Sequence, residues 1–220
     1  MNRRLFVFYA LLSLAACTKD PEVAKRAHFE AGNRFLAQGK AQEAIVEFRN
    51  ALQDDPRFGD ARLRLSEAYA SVGNAVEAYR EAIRAADLLP ENPSAQVRAG
   101  QFLLLAGQFE DAKARAERAL MNDSRAVDGL VLRANAMAGL KDLAGAVKEI
   151  EQAIALDPKQ AAGYTNLGTL QAASGNVAEA ESAFRRAVSA DPRSVNAQLA
   201  LANFFWTSGR QSEAEEGFRA

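Results

Sequence analysis

Residues 161–194 read AAGYTNLGTLQAASGNVAEAESAFRRAVSADPRS, and this stretch decides the fold because its pattern returns every 34 residues. Two alanine-rich, helix-favouring runs flank a glycine, and a proline follows the second run. Such a unit predicts two antiparallel helices with a tight turn between them. A lone helical hairpin cannot bury its own apolar face, so the unit also predicts stacking against copies of itself.

The same register extends through the chain without insertion, with repeats that start at residues 25, 59, 93, 127, 161 and 195. Small residues mark the positions where helices are expected to approach each other closely. Position 20 is always alanine: Ala44, Ala78, Ala112, Ala146, Ala180 and Ala214. Position 8 is always small: Gly32, Ser66, Gly100, Ala134, Gly168 and Ala202. A larger side chain at these positions would overpack the contact between helices.

Glycine and proline mark the ends of the predicted helices. Position 15, in the turn inside each hairpin, is glycine in every repeat except the fourth, which has Lys141. Position 32, after the second helix, is proline except in the third repeat, which has Ser124 just before the fourth repeat begins. These two departures weaken the turn signals around the fourth repeat, so the sequence leaves the helix ends there open without affecting the predicted fold.

This pattern resembles the tetratricopeptide repeat (TPR), whose hallmark small residues lie at the same positions. The resemblance covers residues 25–220 and implies an all-α solenoid, a right-handed superhelix of antiparallel helix pairs with about six repeats. The sixth repeat stops at Ala220, inside its second helix. We interpret this either as a fragment of a longer natural protein or as a last helix that frays.

The resemblance also implies that the first helix of each repeat lines a concave groove. Helical spacing places repeat positions 2, 5, 9 and 12 on one stripe of that helix. The stripe is apolar, with a central ladder of mainly amides and hydroxyls. Its predicted peptide-binding residues are Phe29, Asn33, Leu36, Leu63, Glu67, Val97, Gln101, Leu104, Val131, Asn135, Thr165, Thr169, Leu199, Asn203 and Trp206.

An amide side chain offers both a donor and an acceptor, so the ladder is suited to the backbone of an extended peptide. The alternative is that the polar residues are simply solvated and that the apolar ones pack between neighbouring helices. TPR domains that clamp a C-terminal carboxylate carry Lys or Arg at positions 5 and 9. This chain has neither there, so we do not expect a clamp of that kind.

The N-terminal segment is predicted to be an export signal outside the fold. Arg3 and Arg4 precede an apolar run over residues 5–16. At about 1.5 Å per residue in a helix, this run is too short to span a bilayer. The run ends in Leu14-Ala15-Ala16-Cys17, which resembles the lipobox of bacterial lipoproteins.

The lipobox resemblance implies a signal peptide over residues 1–16, lipidation of Cys17 and a tether over residues 17–24. It predicts a protein of the bacterial cell envelope, bound to the membrane through its lipid anchor. Thr18 follows the cysteine where an Asp would favour the inner membrane, so we expect the outer membrane, facing the periplasm. A plain signal peptide with an incidental cysteine and a twin-arginine signal are the alternatives.

The residue inventory leaves little room for reaction chemistry. The chain has one Cys and one His, so Cys–His catalysis and zinc binding are not expected. His28 falls at repeat position 4, where we predict a packed core residue. A net charge of −1 and dispersed basic residues give no reason to expect nucleic acid as a partner. We predict no enzyme activity, no cofactor and no metal.

The predicted function is a membrane-anchored scaffold that binds other proteins in its groove. Residues 18–61 resemble the start of the TPR lipoproteins found with PEP-CTERM/exosortase and exopolysaccharide systems, which implies a role in export or sorting. Within the same class, a pilotin-like lipoprotein that helps a secretin assemble is an alternative. Two alternatives belong to other functional classes. In one, the chain is the regulatory or targeting arm of a larger enzyme such as a glycosyltransferase, and in the other it is a structural spacer.

Overall fold

The computed structural model describes residues 20–219, and that part of the chain consists of twelve α-helices with no strand. The helices are α1 (Pro21–Ala37), α2 (Ala41–Asp54), α3 (Gly59–Ser71), α4 (Ala75–Leu88), α5 (Pro93–Leu105), α6 (Phe109–Asn122), α7 (Val127–Gly139), α8 (Leu143–Leu156), α9 (Ala161–Ala173), α10 (Val177–Ala190), α11 (Val195–Thr207) and α12 (Gln211–Arg219). The prediction of an all-α solenoid is confirmed.

The helices form six antiparallel hairpins, and each helix packs mainly on its immediate neighbours in the chain. The odd-numbered helices are the first helices of the hairpins. They also lie side by side, since α1 contacts α3, α5 contacts α7 and α9 contacts α11. We call the surface that they share the odd-helix face. The first helices from α3 onward begin at residues 59, 93, 127, 161 and 195, one repeat apart.

The first helix starts earlier than the sequence register indicates. Residues 21–24, which we predicted to belong to a tether, form the first turn of α1. The Asp20 side chain accepts a hydrogen bond from the Glu22 backbone N–H at 3.0 Å, and Pro21 occupies the first turn. Both are favourable helix starts, because the cap satisfies a free donor and proline has no N–H to lose.

Small residues bring the paired helices together. All six alanines at position 20 are fully buried. Larger residues at position 24 fill the space between hairpins, and Phe48, Ile150 and Phe184 are buried there. Phe218, at the same position in the sixth repeat, is 47% exposed. The core is therefore a series of small clusters, each shared by adjacent hairpins.

The turns inside the hairpins share one backbone conformation. Five glycines there, at residues 39, 73, 107, 175 and 209, have φ between 71° and 81°. Lys141 takes the same left-handed conformation, with φ of 71°. The fourth hairpin therefore keeps the turn geometry of the others, and its helices begin and end at the same repeat positions as those of the third hairpin.

A recurrent aspartate shapes the turns between repeats. The side chains of Asp55, Asp123, Asp157 and Asp191 each accept a hydrogen bond from the backbone N–H two residues later, at 2.9–3.3 Å. Such side chains mimic a backbone turn. Asp123 forms this turn at the boundary between the third and fourth repeats, where Ser124 replaces the usual proline. The aspartate therefore maintains the connection without the proline.

Candidate binding groove

Two cavities open on the odd-helix face. The larger one, of about 590 Å³, lies across α3, α5 and α7 and is called the central cavity here. Of the predicted peptide-binding residues, Glu67, Val97 and Gln101 line it together. Its other lining residues are Pro93, Ser94, Arg98, Asp123, Ala126, Val127, Asp128 and Gln160. Three successive repeats therefore contribute to one cavity.

The central cavity is charged. The Glu67 carboxylate lies 2.8 Å from Nη1 of Arg64 and 3.6 Å from Nη2 of Arg98, so it pairs with arginines of its own helix and of the next repeat. Asp123 and Asp128 also line the cavity. Sequence reasoning missed Arg98, although position 6 carries arginine in two consecutive repeats, Arg64 and Arg98, and this repetition was a usable signal.

The smaller cavity, of about 310 Å³, lies between α9 and α11 and is called the C-terminal cavity. The predicted residues Thr169 and Asn203 line it, and the others are Ala172, Phe184, Ala200, Phe204 and Thr207. The Phe184 and Phe204 rings pack with their centroids 5.3 Å apart. Neither phenylalanine is among the predicted peptide-binding residues. Phe184 occupies position 24, which fills the space between hairpins, and Phe204 lies at position 10, outside the stripe of positions 2, 5, 9 and 12.

Other predicted residues of the two last repeats lie at the surface. Leu199 is 42% exposed and Trp206 is 55% exposed, which is unusual for such large apolar side chains. The Thr165 hydroxyl donates to the Ala161 carbonyl at 3.1 Å, and the Thr169 hydroxyl donates to the Thr165 carbonyl at 3.0 Å. These hydroxyls keep only their acceptor lone pairs for a ligand.

Most of the apolar residues that were predicted to bind peptide in the first four repeats line neither cavity. Phe29 packs against Phe48 and Phe58, with ring centroids 6.0 and 5.0 Å apart. Four others are partly buried against core clusters: Leu36, Leu63, Leu104 and Val131. Their main contacts are with neighbouring helices, as the alternative interpretation expected for the apolar positions.

Two predicted asparagines are half-buried on the odd-helix face. Asn33 Oδ1 is shielded from solvent and has no hydrogen-bond partner among the described residues. Asn135, one of the ladder positions, also makes no side-chain hydrogen bond within residues 20–219. A buried acceptor without a partner costs free energy. The amide oxygen of Asn33 is therefore destabilising where it stands, while the rest of this half-buried side chain remains partly accessible.

His28 is not the packed core residue that we predicted. Its side chain is 34% exposed, and its Nδ1 lies 2.7 Å from the Glu47 carboxylate in the paired helix. Arg62 and Glu81, and Gln96 and Arg115, pair in the same way between positions 4 and 23 of their repeats. Polar partners 19 residues apart therefore connect the two helices of a hairpin. Complementary residues at that spacing were the signal that the sequence analysis missed.

The described residues contain no cluster of three or more metal-binding side chains. None of the helices from α1 to α12 is long and apolar enough to cross a membrane. The predicted signal peptide over residues 1–16 and the predicted lipidation site at Cys17 lie outside the described residues.

Stacked helical hairpins with a shared ligand-sized groove define a helical-repeat protein. Family models described as "Tetratricopeptide repeat" match residues 35–87 and residues 72–112, 99–161 and 165–220. These matches cover well over half of the chain. The chain therefore belongs to the tetratricopeptide repeat family.

Curated relatives share part of this repeat region. DnaJ homolog subfamily C member 3 of Rattus norvegicus is 25% identical over 156 residues, which are 69% of this chain and 28% of that protein. An uncharacterized protein of Haemophilus influenzae is 29% identical over 115 residues, which are 52% of this chain and 64% of that protein. The chain thus spans less than two thirds of the length of the curated relatives it matches.

Solved structures show the same fold. The structure described as a functional characterization of Pseudomonas aeruginosa pilF matches with a TM-score of 0.69 and 18% identity, over 90% of both chains. A TPR protein from Thermus thermophilus matches with a TM-score of 0.68 and 18% identity, over 83% of this chain and all of that one. At this level of identity the likeness concerns the fold alone.

Proposed function

We propose that this chain is a scaffold that binds an extended segment of a partner protein along its odd-helix face. TPR proteins mediate protein–protein interaction, and this chain belongs to that family. The single observation that supports the proposed place of binding is the central cavity, which three successive repeats build together. An extended peptide crosses several repeats, so it is the ligand that contacts all three at once.

The chemistry of the two cavities supports binding rather than reaction. Their walls carry amides, hydroxyls, alkyl groups, two phenylalanines and charged groups, some of them already paired. These groups provide hydrogen bonds and packing for a polypeptide. The scaffold fold itself is typical of proteins without enzyme activity.

The proposal includes a place in the bacterial envelope. The sequence Leu14-Ala15-Ala16-Cys17 supports cleavage before Cys17 and attachment of lipid to it. The scaffold would then face the periplasm from the outer membrane and serve an assembly of the export or exopolysaccharide type. Expression of Cys17→Ser tests the anchor, since the variant is expected to move from the membrane to the soluble fraction. Continued membrane attachment of this variant would contradict the lipid anchor.

The groove is tested by affinity capture from solubilised membranes of the producing bacterium, with the full chain as bait. The groove variant combines Asn33→Ala, Asn135→Ala and Asn203→Ala, which remove the three asparagine amides of the ladder and leave Gln101 in place. The matched control combines Gln42→Ala, Gln53→Ala and Gln152→Ala, three exposed amides on even-numbered helices. We expect proteins captured by the wild type and the control to be absent from the groove variant. Identical capture by all three would exclude binding through the ladder.

A second candidate is that the repeats are the regulatory or targeting arm of a larger enzyme. The match to the rat relative covers only 28% of that protein, so repeats of this kind also occur as one part of a longer chain. The complete reading frame distinguishes the two candidates. A catalytic domain beyond the repeats favours the arm, and further helical repeats favour the scaffold.

A further inference from the structure

The odd-numbered helices lose their charges along the solenoid. In order along the chain, α1 carries Glu22, Lys25, Arg26, Glu30 and Arg34, α3 carries Asp60, Arg62, Arg64 and Glu67, α5 carries Arg98, and α7 carries Asp128 and Arg133. Helices α9 and α11 carry no charged residue at all. Their hairpin partners α10 and α12 are rich in charge. The charge is therefore missing from one face, not from the whole C-terminal region.

The C-terminal cavity lies on this uncharged face. All seven of its lining residues are uncharged. The Phe184 and Phe204 rings and two alanines, Ala172 and Ala200, are its apolar part, while two hydroxyls and the Asn203 amide are its polar part. Leu199 and Trp206, on the same helix as Asn203, add exposed apolar surface beside it.

We propose that repeats five and six bind an uncharged segment of the partner, with one aliphatic or aromatic side chain in the C-terminal cavity. This inference rests on the proposed function and specifies its ligand. The partner segment carries no Asp, Glu, Lys or Arg at the residues that contact α9 and α11. Charged residues of the same partner are accommodated at the central cavity, where Glu67, Arg98 and Asp128 lie.

The selectivity follows from the cost of removing a charge from water. A charged side chain that is placed against an uncharged wall loses its hydration and gains no opposite charge in return. An apolar side chain gains from the same transfer, because it packs at the cavity against the edges of the buried phenylalanines and covers the exposed surface of Leu199 and Trp206. The uncharged face of α9 and α11 therefore favours a partner segment that is itself uncharged.

The polar groups of the cavity are suited to a peptide backbone. The Asn203 amide has a donor and an acceptor and makes no side-chain hydrogen bond to another residue of the range 20–219. Thr169 already donates its hydroxyl proton within α9, so it remains an acceptor for a backbone N–H. Specificity for the side chain then comes from the phenylalanines, and attachment of the backbone comes from these two residues.

The test uses random dodecapeptides displayed on phage and selected on the full chain. Selected sequences are then synthesised and titrated against the protein. Trp206 is the one tryptophan in the sequence and lies on this face, so its fluorescence reports binding directly. We expect selected peptides to share an uncharged stretch with a central Leu, Ile or Phe. Replacement of that residue by Lys or Glu is expected to weaken binding by about tenfold or more.

The diagnostic variant is Ala172→Glu, which places a carboxylate on the cavity wall at an exposed position of α9. This variant is expected to bind the selected apolar peptide more weakly than the wild-type protein does, and to recover binding of the Lys-substituted peptide. Ala172→Gln introduces a similar size without charge and is expected to retain most of the affinity. Ala155→Glu, at an exposed position of α8, controls for the added charge.

Three results overturn the inference. Equal binding of the Leu and Lys peptides to the wild type would show that the face does not select against charge. Loss of binding with Gln101→Ala but not with Ala172→Glu would leave the proposed function intact and assign binding to the central cavity. Binding that survives both changes, or recovery of no peptide, would overturn the proposed function as well.

Discussion

The ring of Phe48 lies directly against the Cα atom of Gly32, and a Cβ atom on that glycine would approach Phe48 Cε1 to 2.5 Å. The same relationship recurs in the fifth repeat, where a Cβ on Gly168 would approach the Phe184 ring to 2.8 Å. In both hairpins a glycine at position 8 of the first helix accepts an aromatic ring from position 24 of the second. The pair sets the distance between the two helices.

Gly32→Ala is therefore expected to destabilise the protein, although alanine favours a helix. Overpacking typically costs about 1–3 kcal/mol, and the gain in helix propensity offsets about 1 kcal/mol of this. Urea unfolding followed by circular dichroism measures the difference. The double variant Gly32→Ala with Phe48→Leu makes room for the methyl group and should lose less stability than the two single changes combined. Equal stability of Gly32→Ala and wild type would show that the helices separate without cost.

Lys141→Gly is expected to stabilise the protein by about 1 kcal/mol, because a residue with a Cβ atom is strained in the left-handed region that Lys141 occupies. Differential scanning calorimetry should show a higher unfolding temperature. Lys148→Gly is the control, since it places glycine inside α8 and should destabilise by a similar amount. A lower unfolding temperature for Lys141→Gly would contradict the proposed strain.

Glu81 is expected to be the most sensitive of the acidic residues on the even-numbered helices. Its side chain is only 7% exposed, and it accepts hydrogen bonds from Arg62 at 2.5 Å and Arg84 at 2.8 Å. Glu81→Ala leaves the largely buried Arg62 guanidinium without its acidic partner and with only the Pro56 carbonyl as an acceptor, which should cost about 3 kcal/mol of unfolding free energy. Glu77→Ala removes an exposed pair with Arg80 and should cost less than about 1 kcal/mol. Similar losses in chemical denaturation would mean that burial does not decide the strength of these pairs.

The Lys25–Asp55 contact predicts how stability depends on pH. The hydrogen bond from Lys25, at 2.8 Å, is the largest cause that lowers the pKa of Asp55 below its usual 3.8, and the Arg57 backbone N–H acts in the same direction. A lowered folded-state pKa stabilises the protein above pH 3.8, and this contribution is lost as the pH falls through the lowered value. The hydrogen bond to Asp55 likewise raises the pKa of Lys25 above 10.5. That contribution is present below pH 10.5 and is lost as the pH rises through the raised value.

Asp55→Asn should therefore be less stable than the wild type at pH 7, and the difference should narrow as the pH falls below 3.8. Urea unfolding at a series of pH values measures the two curves. Asp54→Asn, one residue earlier at an exposed position, serves as the matched control and should follow the wild type. A difference that persists unchanged below the lowered pKa would show that the loss comes from the local turn rather than from the ion pair.

Much of the fold could be predicted from the sequence because close helix packing leaves only small residues at fixed positions. The register of alanines and glycines therefore indicated hairpins and their turns. Lys141 and Ser124 left the helix ends around the fourth repeat open. In the structure Lys141 adopts the left-handed turn conformation of the glycines, and the Asp123 side chain shapes the turn at Ser124. His28 was misplaced because its partner, Glu47, lies on the other helix and is invisible to periodicity along one helix.

The groove was harder to predict than the fold. Helical spacing assigned Glu67, Gln101 and Thr169 to the odd-helix face, where the structure places them in cavities. It could not separate Val131, which packs partly against the core, from Leu199, which is exposed. Both occupy position 5, and their difference depends on the residues of the adjacent repeats. Burial of this kind is a tertiary property that a single-repeat pattern does not contain.

Within residues 20–219, each helix contacts mainly its immediate neighbours, and the first and last repeats are not in contact. The molecule should behave as a spring, in which slight rotations at successive hairpin junctions add up to a large change in pitch. A partner bound across several repeats would make those repeats more rigid and leave the others flexible. When the chain is pulled from its ends, the outermost hairpins should unfold before the central hairpins of the solenoid.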